Sequence, residues 1–326
     1  MKNRNAIIYA GAWGIIVAVT LIDCLWASRA GFTFGRGWPS SAFAEISCAF
    51  VASAVLSGLG ARDRYRSLTH ALRCKEFAVA LLCMITIAVW GQAASVASYL
   101  GISLNVPTIT DGLDRFDKAI GFDWLDTYHW VATHRVLRIV FEYAYWSAFA
   151  QLFIVPASLA IARYPEDITE FLVIMFVSSI LLLLISIPFP AESAFVYYGV
   201  TDPGTASSVS DFALLRSGAL RVINPYGVQG LVSMPSFHTM LAIFLAYSVR
   251  HVRFVFPAAI ALNAVMIAST ITVGGHYLAD VFAGILCGVA VILAVRLGFY
   301  RQSAKRDDGG SALDAPDAGS SSSPVR

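Results

Sequence analysis

Residues 235–239 read Pro-Ser-Phe-His-Thr, and residues 274–280 read Gly-Gly-His-Tyr-Leu-Ala-Asp. Both segments lie where an apolar run of the chain begins. Between them the chain holds one apolar run, a short basic loop and a second apolar run, which predict one helix leading away and one leading back. A hairpin of this kind returns the chain to the side from which it left. We therefore expect His238 and His276 to lie together.

The side chains in these two segments share a chemistry. Histidine transfers protons near neutral pH and can act as a nucleophile. If His276 is helical, Asp280 lies one turn later on the same face and can hold one tautomer of the imidazole. Two histidines that merely end helices at an interface are the structural alternative. The joint occurrence of Ser-x-His and His-x-x-x-Asp favours the chemical interpretation.

The composition is that of a polytopic membrane protein. The chain has 326 residues, of which 57% are hydrophobic and 13% charged, whereas about 25% of the residues are charged in a soluble domain. Apolar runs long enough to cross roughly 30 Å of hydrocarbon lie at about 6–28, 41–60, 76–100, 136–162, 167–189, 237–250, 254–273 and 277–299. The sequence predicts an all-α integral membrane protein with about eight transmembrane helices. The net charge of +2 gives no reason to expect a nucleic-acid partner.

The distribution of basic residues predicts the orientation of these helices. With a cytoplasmic N-terminus, 15 of the 23 Lys and Arg residues fall in cytoplasmic segments, as the positive-inside rule requires. Both termini are then cytoplasmic, and both histidine segments face the extracytoplasmic side. We expect a multi-pass protein of the inner (plasma) membrane.

Three regions follow from this pattern. Residues 1–100 hold N-terminal transmembrane helices and a basic cytoplasmic loop, and residues 101–300 hold the membrane domain with both histidine segments. Residues 301–326 are rich in Ser, Gly, Asp and Pro, which predicts a disordered cytoplasmic tail. The five cysteines show no metal spacing, so we expect no disulfide framework, no metal site and no cofactor.

The stretch 101–135 mixes polar, apolar and aromatic residues and predicts one or two amphipathic helices in the outer interface. Trp124, Tyr128 and Trp130 suit the level of the lipid headgroups. The segment is interpreted either as a lid or lipid entry gate, or as a structural connector.

These residues supply several of the groups that cleavage of a phosphoester requires. His276 with Asp280 supplies an oriented nucleophile, and His238 supplies an acid and base. Ser236 can donate a hydroxyl hydrogen, and the backbone N–H groups that follow it at the start of a helix form an anion site.

Two further candidates for phosphate binding precede the first histidine segment. Arg216 and Arg221 lie in the loop 190–234, on the same predicted side as the histidines. A guanidinium can bind phosphate through two hydrogen bonds at once. Solvation of the loop or contact with lipid headgroups is the alternative role.

The succession Pro-Ser-x-His and His-x-x-x-Asp resembles the type 2 phosphatidic acid phosphatase superfamily, whose fold is shared with vanadium haloperoxidases. The resemblance covers roughly residues 110–300 and implies a core helical bundle in the membrane. It further implies a phosphohistidine at His276, with Asp280 orienting the ring and His238 protonating the leaving group. Water or a second alcohol then accepts the phosphoryl group.

Two elements of that family's pattern are missing here. A Lys six residues ahead of an Arg-Pro pair does not occur, and the usual Ser-Arg before the last histidine reads Ser269-Thr270. In both absences the chain resembles inositol phosphorylceramide synthases and sphingomyelin synthases. The segments Phe116-Asp117 and Gly121-Phe122-Asp123 also resemble bacterial members of that branch. The resemblance implies a membrane lipid substrate and slightly favours head-group transfer.

Other functions stay open at this stage. Hydrolysis of a lipid phosphate or a polyprenyl pyrophosphate competes with transfer. A proton-coupled transporter or a lipid-binding membrane protein would also use a histidine pair, although transporters commonly show inverted repeats and no repeat is evident in this chain. The sequence does not specify the lipid, the acceptor or the oligomeric state.

Overall fold

The computed structural model describes residues 2–36, 38–61, 66–202, 211–227 and 229–311. Its helices are α1 (Lys2–Arg29), α2 (Trp38–Ala61), α3 (Arg66–Ala71), α4 (Cys74–Ile102), α5 (Thr110–Ala119), α6 (Trp124–Thr133), α7 (Arg135–Ala162), α8 (Pro165–Ser186), α9 (Ala194–Tyr197), α10 (Phe212–Ser217), α11 (Phe237–Ser248), α12 (Val255–Thr272) and α13 (Leu278–Ser311). Two short strands, β1 (Thr33–Phe34) and β2 (Val222–Ile223), pair in parallel. The predicted all-α class is confirmed, apart from this pair of strands.

Six of these helices are long and apolar enough to cross a membrane: Arg4–Arg29, Cys74–Ile102, Arg135–Ala162, Pro165–Ser186, Val255–Thr272 and Leu278–Phe299. The protein is therefore a multi-pass membrane protein, as predicted. The two remaining apolar runs form α2 and α11, whose described apolar stretches, Ile46–Val55 and Phe237–Ser248, are shorter. The number of eight transmembrane helices stays a prediction.

The core of the bundle surrounds α11. This helix packs against α7, α8, α12 and α13, and the buried Met240, Phe244 and Leu245 on it join Phe171 of α8 and Met266 of α12 in one apolar cluster. Large apolar side chains also cover the outer surface, among them Val136, Phe153, Leu184 and Leu286. Helices that are apolar on all sides suit a lipid environment.

Two glycines let α11 and α13 approach closely. A Cβ atom at Gly284 would lie 2.7 Å from the carbonyl oxygen of Ser236 and 2.9 Å from Cβ of Thr239. A Cβ atom at Gly288, one turn on, would lie 3.2 Å from Cδ1 of Ile243. Small residues four positions apart are a common device for close helix packing in membranes. This contact places the starts of α11 and α13 side by side.

Charged groups gather at the end of the bundle away from those starts. Arg250, just beyond α11, lies 2.5 Å from Glu170 and 3.5 Å from Asp167, and His251 lies 2.8 Å from Asp167. Arg4 reaches Glu166 at 3.4 Å in the same region. The two histidine segments and this network therefore lie at opposite ends of the bundle.

The last helix differs from the expectation for the C-terminal region. Helix α13 continues to Ser311, past residue 301, where the predicted tail begins. Residues 312–326 lie outside the described residues, as do residues 62–65 of the basic loop.

Candidate active site

His276 lies in the loop between α12 and α13, and Asp280 lies in the first turn of α13. The expectation that His276 is helical is wrong, because the chain leaves α12 at Thr272 and becomes helical again only at Leu278. The loop nevertheless brings Nδ1 of His276 to 3.4 Å from Oδ2 of Asp280, and both side chains are buried. That nitrogen has no hydrogen-bond partner among the described residues. Catalytic hydrogen bonds are often long before substrate binds and shorten afterwards.

Asp280 ties the two histidine segments together. Its Oδ2 accepts hydrogen bonds from the Ser233 hydroxyl at 2.6 Å and from the backbone N–H of Tyr277 at 3.0 Å. Its carbonyl oxygen accepts from the backbone N–H of Ser236 at 3.1 Å. Since its other carboxylate oxygen is buried without a partner among the described residues, this carboxylate is fixed in position but retains acceptor capacity.

His238 lies in the first turn of α11 and is held from α7. The Tyr145 hydroxyl lies 3.2 Å from its Nδ1, and the two rings are stacked with centroids 4.1 Å apart at 18°. The same tyrosine adjoins His276, because a Cβ atom on Gly274 would lie 2.9 Å from Cε2 of Tyr145 and 3.0 Å from Cδ2 of His276. The structure thus brings His238, His276 and Asp280 into one site.

The loop that carries His276 is anchored by α6. The indole Nε1 of Trp124 donates to the carbonyl oxygens of Ile271 and His276, both at 3.1 Å. Its ring is stacked on those of Tyr128 and Tyr198, with centroids 5.4 and 5.3 Å apart. Only 1% of Trp124 is exposed, so its ring packs within the protein, and its level in the membrane stays a prediction. Tyr128 is buried too, whereas Trp130 is exposed.

Helix α5 supplies the cap of α13. Both carboxylate oxygens of Asp117 accept backbone hydrogen bonds, from Leu278 at 2.7 Å and Ala279 at 2.9 Å. An anionic side chain is favourable at this position because it meets the positive end of the helix dipole. Burial raises the pKa of Asp117, the two N–H donors oppose that rise, and the nearby carboxylates of Asp280 and Asp114 add to it. The start of α13 is thus already occupied by a carboxylate.

The predicted phosphate-binding hydroxyl of Ser236 has a structural role in the free protein. Its oxygen accepts from the backbone N–H of Thr239 at 3.4 Å and from the Thr239 hydroxyl at 3.1 Å, which caps α11. The side chain is fully buried. The N–H groups of Phe237 and His238, ahead of that contact, have no acceptor among the described residues.

Both predicted phosphate-binding arginines donate hydrogen bonds to backbone carbonyl oxygens. Arg216 donates to the carbonyl of Val106 at 2.8 Å. Arg221 donates to the carbonyls of Gly218 at 3.1 Å and Ala30 at 3.0 Å. These contacts tie the loop before α11 to the ends of α4 and α1, and phosphate binding by either arginine stays a prediction.

Four residues at the site were missed by the sequence reasoning: Ser233, Asp117, Trp124 and Tyr145. No local pattern distinguishes them, since they lie in a loop, in two amphipathic segments and in a transmembrane run. The glycine pair at 274–275 is a sequence signal that could have indicated the loop before His276. Gly275 has φ +67°, and a Cβ atom there would lie 2.3 Å from the Ser193 hydroxyl, so a larger residue would displace the His276 loop.

Comparison with known proteins finds a family match that covers this part of the chain. A family model described as PAP2 superfamily matches residues 111–294, more than half of the chain. The match begins in α5 and ends within α13, so it contains both histidine segments and the interfacial helices. No curated protein and no solved structure matches the chain.

Proposed function

Because the chain belongs to the PAP2 superfamily, we propose that it is a membrane enzyme that cleaves a lipid phosphoester through a phosphohistidine intermediate. Family membership supports a lipid phosphatase-type function. The observation that carries the more specific proposal is the meeting of His238 with the buried pair of His276 and Asp280 at one end of the bundle. A nucleophile, its orienting carboxylate and a second acid and base are the groups that this reaction needs.

The proposed first step forms a bond from Nε2 of His276 to phosphorus. Asp280 lies beside Nδ1, so it favours the tautomer with its proton on Nδ1 and leaves the Nε2 lone pair free. As the new bond forms, the bond from phosphorus to the lipid oxygen breaks, and His238 gives its proton to that oxygen. The products are a phosphohistidine and a lipid alcohol.

The second step reverses the proton transfer. An oxygen of water or of an acceptor alcohol attacks phosphorus and gives its proton to His238, while the bond from phosphorus to His276 breaks. Water yields free phosphate or a phosphorylated head group, and an alcohol yields a new phosphoester. Both histidines return to their starting states, so the cycle is balanced.

The start of α11 is the favoured place for the phosphate charge. Its N–H groups at Phe237 and His238 have no acceptor among the described residues, and a helix N-terminus attracts anions. The start of α13 is less suited because Asp117 already caps it. We therefore place the non-bridging phosphate oxygens toward α11 rather than toward α13.

Transfer of a phosphorylated head group between lipids, as in inositol phosphorylceramide synthases, is slightly favoured over hydrolysis. The departures that support it are the absent Lys and Arg-Pro motif and the Ser269-Thr270 pair. Hydrolysis of a lipid phosphate or a polyprenyl pyrophosphate is the alternative. Product analysis with diacylglycerol, ceramide or inositol as acceptor separates the two, since only transfer yields a new lipid.

The alternative from another functional class is a transporter or a lipid-binding protein. A turnover assay distinguishes an enzyme from either of these. Purified protein in detergent should release phosphate, or move a phosphorylated head group, from a labelled lipid phosphoester in the presence of a chelator. Loss of turnover on chelation would contradict the metal-free phosphohistidine step. The absence of turnover on lipid phosphates, pyrophosphates and phosphorylated head groups would favour the other class.

The nucleophile is tested by trapping the labelled enzyme with an alkaline detergent quench, in which phosphohistidine is stable. His276→Ala should abolish the acid-labile phosphoenzyme, whereas His238→Ala should slow both its formation and its breakdown by about 10²- to 10⁴-fold. His129→Ala, which changes an exposed histidine of α6, is the matched control and should label normally. Full activity of His276→Ala would refute the assignment.

A further inference from the structure

Tyr145 of α7 contacts both histidine segments. Its hydroxyl lies 3.2 Å from Nδ1 of His238, and its ring is stacked on the imidazole at a centroid distance of 4.1 Å. Its Cε2 atom lies 2.9 Å from the position that a Cβ atom would take on Gly274. The same Cβ position is 3.0 Å from Cδ2 of His276. One tyrosine therefore packs against the loop that carries His276 while it holds His238.

Resting on the proposed function, we propose that Tyr145 is the positioning residue of the acid and base His238. With Nδ1 facing the tyrosine hydroxyl, the opposite nitrogen, Nε2, is the one left to exchange a proton with the lipid oxygen. The stacked ring fixes the plane of the imidazole, and the hydroxyl fixes its rotation within that plane. The proton that moves during the reaction stays between Nε2 and the substrate.

The hydroxyl suits both protonation states of His238. Because the imidazolium loses its proton from Nε2, Nδ1 keeps its hydrogen in both states, and the phenol oxygen can accept a hydrogen bond from Nδ1–H throughout. The contact can therefore persist through the cycle, in which His238 gives a proton in the first step and regains one in the second.

The hydroxyl and the ring can be tested separately. Tyr145→Phe retains the stacked ring and the packing against Gly274 but removes the hydrogen bond. We expect kcat to fall about 10- to 100-fold, the effect of losing a hydrogen bond to a group that becomes charged, with KM little changed. Tyr143→Phe removes the same atom two positions away, from a side chain that is 77% exposed, and should leave both constants unchanged.

A second measurement examines His238 without reference to turnover. Carbethoxylation of its imidazole, followed by mass spectrometry of the peptide, should be several-fold faster in Tyr145→Phe because Nδ1 loses its partner. The rate in Tyr143→Phe should match the unchanged protein. Size exclusion and thermal unfolding in detergent establish that each variant is folded.

Four outcomes are decisive. An unchanged kcat in Tyr145→Phe, or an equal loss in Tyr143→Phe, would refute the positioning role. An unchanged carbethoxylation rate at His238 would refute the hydrogen bond itself. If the unchanged protein turns over no phosphoester but the carbethoxylation rate responds as expected, the proposed function fails while the control of His238 by Tyr145 stands.

Discussion

Trp124 joins the interfacial helix α6 to the His276 loop. Its indole N–H meets two carbonyl oxygens at once, at the end of α12 and at His276 itself. Aromatic rings of α6 and of the segment after α9 stack on its ring. The indole is thus buried with its polar group satisfied, as tryptophan generally requires. The main chain at His276 therefore depends in part on this donor.

Replacing Trp124 tests that dependence. Trp124→Phe retains an aromatic ring but leaves the carbonyls of Ile271 and His276 without their donor, which should destabilise the protein by about 1–3 kcal/mol and lower its activity. Thermal unfolding in detergent and initial rates measure the two effects. Trp130→Phe, on the same helix and 56% exposed, is the control, and equal losses in both variants would contradict the anchoring role.

At the scale of the elements, the site depends on how closely α11 approaches α13. His238 begins one helix and Asp280 belongs to the first turn of the other, so a change in their separation moves the acid and base relative to the nucleophile. Gly284 faces the backbone of Ser236 at the start of α11. No side chain fits there unless one of the helices moves.

A methyl group at this contact should therefore be costly. Gly284→Ala puts a Cβ atom within 2.7 Å of a backbone oxygen, and overpacking of this kind typically costs about 1–3 kcal/mol. We expect a lower unfolding temperature and a loss of activity. Gly298→Ala lies on the same helix with open space around it and should be tolerated. Unchanged stability and activity in Gly284→Ala would show that the close approach is not required.

At the scale of the whole molecule, the bundle has two chemically different ends. One end holds the buried pair of His276 and Asp280, and the other holds the network of Arg250 with Asp167 and Glu170. The positive-inside rule predicts that the second end faces the cytoplasm. The substrate phosphate would then be met on the extracytoplasmic side.

Sided labelling tests this orientation. In a variant without its native cysteines, Arg115→Cys lies on α5 at the histidine end, and Arg253→Cys lies in the loop between α11 and α12. Both positions are exposed. A membrane-impermeant maleimide added to intact bacterial spheroplasts should label position 115 and not position 253, and permeabilisation should allow both to react. The reverse pattern would contradict the predicted topology.

Much of the fold was accessible from the sequence because membrane insertion is governed by local composition. An apolar run of sufficient length predicts a spanning helix regardless of its neighbours, and the apolar runs do form helices in the structure. The same holds for the two histidine segments, whose residue spacing implied a shared site. The glycine pair before His276 could have indicated a turn, whereas the sequence reasoning expected a helical His276, which was wrong.

The sequence by itself therefore determined that this chain is a helical membrane protein and which histidines and aspartate belong together. Only the tertiary structure decided what holds them: Tyr145 on His238, Trp124 on the His276 loop, Asp117 on the start of α13 and Ser233 on Asp280. The physical reason is that each of these contacts joins residues far apart in the chain. Burial and hydrogen bonding of that kind depend on how helices pack, and no local period or spacing encodes that packing.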